Sequence, residues 1–227
     1  MLYFGNLCLS ENKHFMSFLK KILGKSLQGE KHNEEKVLAF EKQKSKIYPW
    51  VKAFVDNTDN PKALLQIDLP DENFPIWRTW LGDLAIFYVA DMGDRFEIIL
   101  KNHLPKNISV EQLHQLAIEN LSRDIEYKLN ETNFGAYGLI ADGNHETSSI
   151  CLPEIWDWIA GILNDNLIVA IPTKSLIMMA PETNIDKVSN LKIVVHKIFK
   201  EGEHLLTRNI FKFERDSKKW IIIDTVN

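Results

Sequence analysis

The chain has 227 residues, 45% hydrophobic and 26% charged, with 10 Gly, 8 Pro and a formal net charge of −4. That composition excludes a disordered chain, a collagen-like repeat and a disulfide scaffold. A chain of this length buries enough apolar surface to fold without a metal or disulfide staple.

Charge is divided unevenly along it. Residues 1–46 carry nine Lys and five Glu, whereas the other 181 residues carry 18 basic and 26 acidic side chains. An acidic body repels a phosphate backbone, so nucleic acid is set aside as a partner. The longest uninterrupted apolar run, Leu84 to Ala90, has seven residues, against roughly 20 for a membrane-spanning helix. Cys8 and Cys151 are the two cysteines, which implies no oxidising compartment. The expected location is cytoplasmic.

The stretch from Met16 to Lys25 reads as a natural start, while Met1 to Phe15 shows neither periodicity nor a signal-peptide pattern. Residues 1–15 are therefore expected to be an upstream extension. Phe18, Leu19, Ile22 and Leu23, flanked by Lys20, Lys21 and Lys25, make a short basic amphipathic helix over 16–25. That face suits weak contact with an anionic membrane surface or docking on the protein's own domain. Ser26 to Asn33 reads as a linker, and the charged Glu34 to Lys46 as a solvated helix or tether. Residues 1–46 are thus expected to be a basic arm, and 47–227 a single domain.

From Ile47 the pattern changes to short strands and amphipathic helices. Leu84 to Asp91 and Arg95 to Lys101 flank Met92-Gly93-Asp94 and predict a β-hairpin. Ser109 and Gln112 form a capping box ahead of Val110, Leu113, Leu116, Ala117, Leu121 and Ile125, predicting a helix over 109–129. Phe134 to Ala141 and Thr147 to Leu152 predict a second hairpin turning at Asp142-Gly143. Pro153 opens a helix to Leu163, since proline suits the first helical turn. Leu167 to Ile171 and Ser175 to Ala180 predict a third hairpin. Ile185, Val188, Leu191, Val195 and Ile198 or Phe199 predict a helix closed by Gly202. Leu205 to Glu214 and Trp220 to Asp224 predict a last strand pair. Hairpins alternating with helices imply an α+β class with mostly antiparallel sheet.

Several segments carry a family likeness. They are Ile47-Tyr48-Pro49, the run Asp83 to Gly93, Leu116 to Leu121, Asp142 to Ser148, and Leu167 to Pro172. In this order they resemble the bacterial YtpQ-like family of uncharacterised proteins, from Ile47 to the C-terminus. The resemblance implies a fold and an intracellular bacterial setting, and brings no activity and no functional residues. It stops short of the N-terminal arm, where the family's leading region is longer.

Motifs for known chemistry fail on spacing. Gly24-Lys25-Ser26 lacks the first glycine of a phosphate-binding loop, because Leu19 stands there. Gly135-Ala136-Tyr137-Gly138 lies within a strand pattern, where glycine marks a bulge or close packing. His145-Glu146 begins a zinc-protease motif whose second histidine position is Ser149. His196 and His204 match no compact site. No metal and no cofactor are implied.

The loop from Asp142 to Ser148 is the one cluster of polar chemistry. Asp142, Asn144, His145, Glu146 and Ser148 are candidate ligand-binding residues, with His145 and Glu146 as an acid/base pair where their side chains converge. Plain turn chemistry explains the same residues. Trp77, Arg78 and Trp80 form a candidate interaction patch, since Trp and Arg are favoured interface anchors; core packing also accounts for them. With no complete catalytic constellation, the expected function is a non-catalytic module that binds a protein partner or itself. The alternative is a small-molecule-binding protein or hydrolase built on the Asp142 to Ser148 loop.

Overall fold

The computed structural model describes residues 38, 40–53, 70–105 and 107–226. Phe18, Leu19, Ile22, Leu23 and the linker at 26–33 lie outside the described residues. The fold is α+β with antiparallel sheets. Its strands are β1 (Ile47–Ala53), β2 (Trp77–Thr79), β3 (Leu84–Asp91), β4 (Phe96–Ile98), β5 (Lys128–Glu131), β6 (Tyr137–Ile140), β7 (Leu167–Thr173), β8 (Leu176–Pro181), β9 (Asn209–Glu214) and β10 (Lys219–Thr225). Helices α1 (Val110–Asp124), α2 (Pro153–Leu163) and α3 (Ile185–Glu201) alternate with them, and residues 40–43 are also helical. Among the described residues no helix is long and apolar enough to cross a membrane.

Contacts along the chain fall into two compact units. In the first, β3 is buried from Ala85 to Ala90 and meets β4 in the expected hairpin, with Val89 opposite Ile98 and Asp91 opposite Phe96. The helix α1 starts as its capping box dictates: Gln112 N donates to Ser109 Oγ at 3.2 Å, and Ser109 N donates to Gln112 Oε1 at 2.8 Å. Leu113 and Ala117 on its inner face are fully buried. Asn120 Nδ2, one turn further, donates to the carbonyls of Lys44 and Ile47 at 2.8 and 2.9 Å. That bond, together with the buried Phe40, ties down the end of a segment expected to be solvated. Tyr88 Oη lies 3.1 Å from His114 Nδ1, and burial, reinforced by Arg78, lowers the imidazole pKa to about 4.

The second unit holds residues 121–227 with two short returns of the chain, 50–53 and 79–84. Its six-stranded sheet has the order β10-β9-β7-β8-β6-β5, and every neighbouring pair is antiparallel. Alternation along the strands sends Ile168, Ala170, Met178, Ala180 and Ile210 to one face, where α3 covers them with Leu191, Val195 and Phe199. The opposite face is aromatic. Trp156 of α2 lies 4.7 Å from Trp220 and 6.4 Å from Phe213, between ring centroids, and Trp80 lies 5.2 Å from both Trp220 and Phe211. Each fully buried large side chain contributes about 1.5–3 kcal/mol of transfer free energy. Gly82, at φ 62°, lets residues 79–84 turn tightly, and a Cβ there would come within 2.7 Å of Ile222 Cδ1.

Two sequence expectations need correction. The helix α1 ends at Asp124, not 129, because residues 128–131 become β5 and pair with β6, with Leu129 opposite Leu139. Sheet pairing outweighs helical spacing there, as tertiary contacts commonly do. Likewise Thr147–Cys151 is a 3-10 turn, not the return strand of a hairpin. The neighbours of β6 are β5 and β8.

Candidate functional site

Beyond β6 the chain enters the loop Asp142–Glu146 and then the 3-10 turn, and its own side chains close that loop. Asp142 Oδ1 accepts from Asn144 N and His145 N, both at 3.0 Å, while Oδ2 sits 2.8 Å from His145 Nδ1. Burial raises the Asp142 pKa, but the hydrogen bonds from Asn144 and His145 more than offset it, and the carboxyl lies below its usual range. Glu146 Oε1 accepts from Ala141 N at 3.2 Å and Gly143 N at 2.7 Å. Gly143 stands at φ 91°, in the left-handed region that glycine tolerates. Glu146 thus satisfies the Ala141 and Gly143 donors within the loop itself, so the Asp-Gly turn closes on its own side chains with no return strand.

The rest of the unit clamps the same loop. Tyr127 Oη donates to the His145 carbonyl at 2.9 Å, Thr147 Oγ1 to the Lys174 carbonyl at 3.0 Å, and Trp156 Nε1 to the Ser149 carbonyl at 2.8 Å. Trp50 meets the His145 ring edge-on, with centroids 6.1 Å apart. Burial pushes the Tyr127 phenol far above its ordinary value, with smaller contributions from Cys151, Asp142 and Glu146. It therefore acts as a neutral donor.

The structure thus brings Asp142, His145 and Glu146 together. His145 is 2% exposed, Glu146 4%, and Ser148 is also buried; Asp142 and Asn144 face solvent. One polar demand is left over. Glu146 Oε2 and Ser149 Oγ are buried with no hydrogen-bond partner among the described residues. Successive turns of a 3-10 helix eclipse positions three apart, so both side chains leave the same face.

The tryptophan patch is divided between two roles. Trp77 and Arg78 lie on β2, Trp77 half-buried and Arg78 exposed. Trp80 lies beyond the strand and packs against Phe211 and Trp220. On α2, Trp156 is buried and Trp158 is exposed, as residues two apart on a helix must diverge.

A feature passed over in the sequence stands out on the opposite side of the sheet. The outermost strand β10 carries Ile221, Ile222 and Ile223 in a row, 39%, 39% and 42% exposed. Three consecutive isoleucines suggest a strand buried on both faces in the middle of a sheet. Among the described residues the strand has one neighbour, β9, and no strand pairs with its outer backbone edge. A β-bulge interrupts the β9 register between Ile222 and Asp224. The absence of polar alternation in Trp220-Ile221-Ile222-Ile223 was the available signal.

No family model matches the chain, and no curated protein or solved structure matches it. Function therefore rests on geometry.

Proposed function

We propose that the protein is a non-catalytic protein-interaction module that takes up a partner strand along its β10 edge. The observation that carries this reading is the exposed run Ile221-Ile222-Ile223 on an outermost strand of seven residues. An open edge offers a row of unpaired N–H and C=O groups, and apolar side chains along it add affinity that a charged edge lacks. The strand is firmly backed, because Trp220 packs edge-on against Trp156 and Trp80 and at a tilt against Phe213. A partner strand thus meets a rigid template and orders little of this chain on binding. The likeness to the YtpQ-like family and a cytoplasmic setting belong to the same proposal; neither brings a reaction.

A photo-crosslinking side chain at position 221 of the full chain, expressed in cells, tests this. The same probe at position 129 on β5 is the control. The expected result is a crosslinked polypeptide from 221 and none from 129. No polypeptide captured from 221 would overturn the reading.

One observation favours a second reading, a small-molecule-binding or hydrolytic role for Asp142, Asn144, His145, Glu146 and Ser148. It is the unmet demand of Glu146 Oε2 and Ser149 Oγ, since a buried polar group without a partner costs about 1–3 kcal/mol. Native mass spectrometry of gently purified protein is the test. This reading expects an added mass of a few hundred daltons that disappears in Glu146→Gln; a bare chain mass counts against it.

A further inference from the structure

We infer that the strand added at β10 is β10 of a second copy, paired antiparallel about a two-fold axis through Ile221. This rests on the interaction-module reading and names its partner. The argument begins with parity. A two-fold perpendicular to a sheet keeps each face on its own side, so in a regular strand only residues an even number apart can face each other across it.

The faces of β10 are known from its contacts. Trp220 packs toward Trp156, and Ile222 toward Gly82, on the aromatic face. Asp224 pairs with Lys192 of α3, on the opposite face. Residues 222 and 224 would share a face in a regular strand; the bulge between them reverses the parity.

That reversal makes the strand self-complementary. With the axis at Ile221, its side chain meets the partner's Ile221, and Trp220 meets the partner's Ile222 on the aromatic face. One step outward, Lys219 faces the partner's Asp224 on the α3 face, because the bulged Ile223 is skipped. Without the bulge the lysine would face Ile223. The chemistry along the edge therefore reads positive, apolar, apolar, apolar, negative from one end, and its own complement from the other. Opposite charges and large apolar side chains directly across an antiparallel pair are the stabilising cross-strand combinations. A bulge often blunts an edge against pairing; this one brings a charge pair into register.

A single strand pair buries little area, so the dimer belongs to the weak, concentration-dependent class. Sedimentation velocity of the full chain across a wide concentration range is the measurement. The expected result is a monomer shifting to twice its mass. Ile221→Lys sets two like charges on the axis and should weaken association by about tenfold or more, with circular dichroism and melting unchanged because the side chain is partly exposed already.

Charge reversal tests the register. Lys219→Glu alone places like charges opposite Asp224, and Asp224→Lys alone places like charges opposite Lys219, so each should weaken self-association. An equimolar mixture of the two variants restores both attractive pairs and should associate about as well as the original chain. A dimer indifferent to Ile221→Lys would overturn β10 as the interface. Association weakened by Ile221→Lys but not recovered in the mixture would overturn the Ile221 register. A chain that stays monomeric, while position 221 captures a different polypeptide in cells, would overturn the self-pairing and leave the interaction-module reading standing. A monomer with no capture at all would overturn both.

Discussion

The two edges of the six-stranded sheet are built on opposite plans. At one end β5 has four residues, Lys-Leu-Asn-Glu, and its Glu131 is held by Lys187 of α3 at 2.7 Å. At the other end β10 has seven residues and presents three isoleucines. Short length and charge are the ordinary means of discouraging strand addition, and the first edge has both. The second has a lysine and an aspartate only toward its ends. One sheet thus carries a guarded edge and an open one, which is what a closed two-fold pair needs. Two open edges of different kind would join head to tail and propagate.

Removing what backs the open edge should have the strongest consequence. Trp156 is fully buried, meets Trp220 edge-on, and donates to the Ser149 carbonyl. Trp156→Ala should lower stability by about 3–5 kcal/mol in urea unfolding, from the cavity and the lost bond together. A loss under about 1 kcal/mol would mean the aromatic face does not hold β10 in place.

Removing the guard from the other edge should have an intermediate effect. Lys128→Ile combined with Glu131→Ile gives β5 an apolar edge like that of β10. Light scattering should then show assemblies growing beyond a dimer with concentration. If the doubly substituted chain behaves as the original does, short length alone protects β5, and charge is not part of the contrast.

The smallest effect concerns the 79–84 return beneath β10. Asp83 accepts from Thr207 Oγ1 at 2.6 Å and Asn209 Nδ2 at 2.9 Å. Burial raises its pKa, partly offset by those same bonds, and the net position is above the ordinary value. The folded chain therefore holds this proton to higher pH than the unfolded chain, and stability falls as pH rises through the interval between the two pKa values. Asp83→Asn keeps an acceptor for both donors and removes that slope. It should be slightly more stable than the original chain at neutral pH, with the advantage shrinking as the solution is acidified into the carboxylate range. Parallel pH profiles for the two chains would show that Asp83 does not carry the slope.

The loop at Asp142–Glu146 shows how far its local chemistry could be read. Asp-Gly marks a turn, and a turn is there. Whether the following residues return as a strand depends on which backbone donors remain unsatisfied, and Glu146 reaches back to two of them. Nothing in the spacing of Thr147 to Leu152 announces that Trp156, Tyr127 and Thr147 would pin the segment as a 3-10 turn. The same holds for Trp80: three residues from Trp77 it reads as half of a patch, yet its ring lies against Phe211 and Trp220, more than a hundred residues away in sequence.

Features governed by near neighbours were legible along the chain. Ser109 and Gln112 set the start of α1, Pro153 the start of α2, Gly202 the end of α3, and hydrophobic spacing the α+β class. Caps, turn residues and periodicity act over a few bonds, so they are legible without a fold. Which strand lies at an edge, which polar atoms stay unsatisfied, and on which side of a bulge a charge falls were settled by folding. Those depend on partners distant along the chain: Ile221, Ile222 and Ile223 would read the same in the middle of a sheet, and it is having β9 as the one neighbour among the described residues that places their strand at an edge.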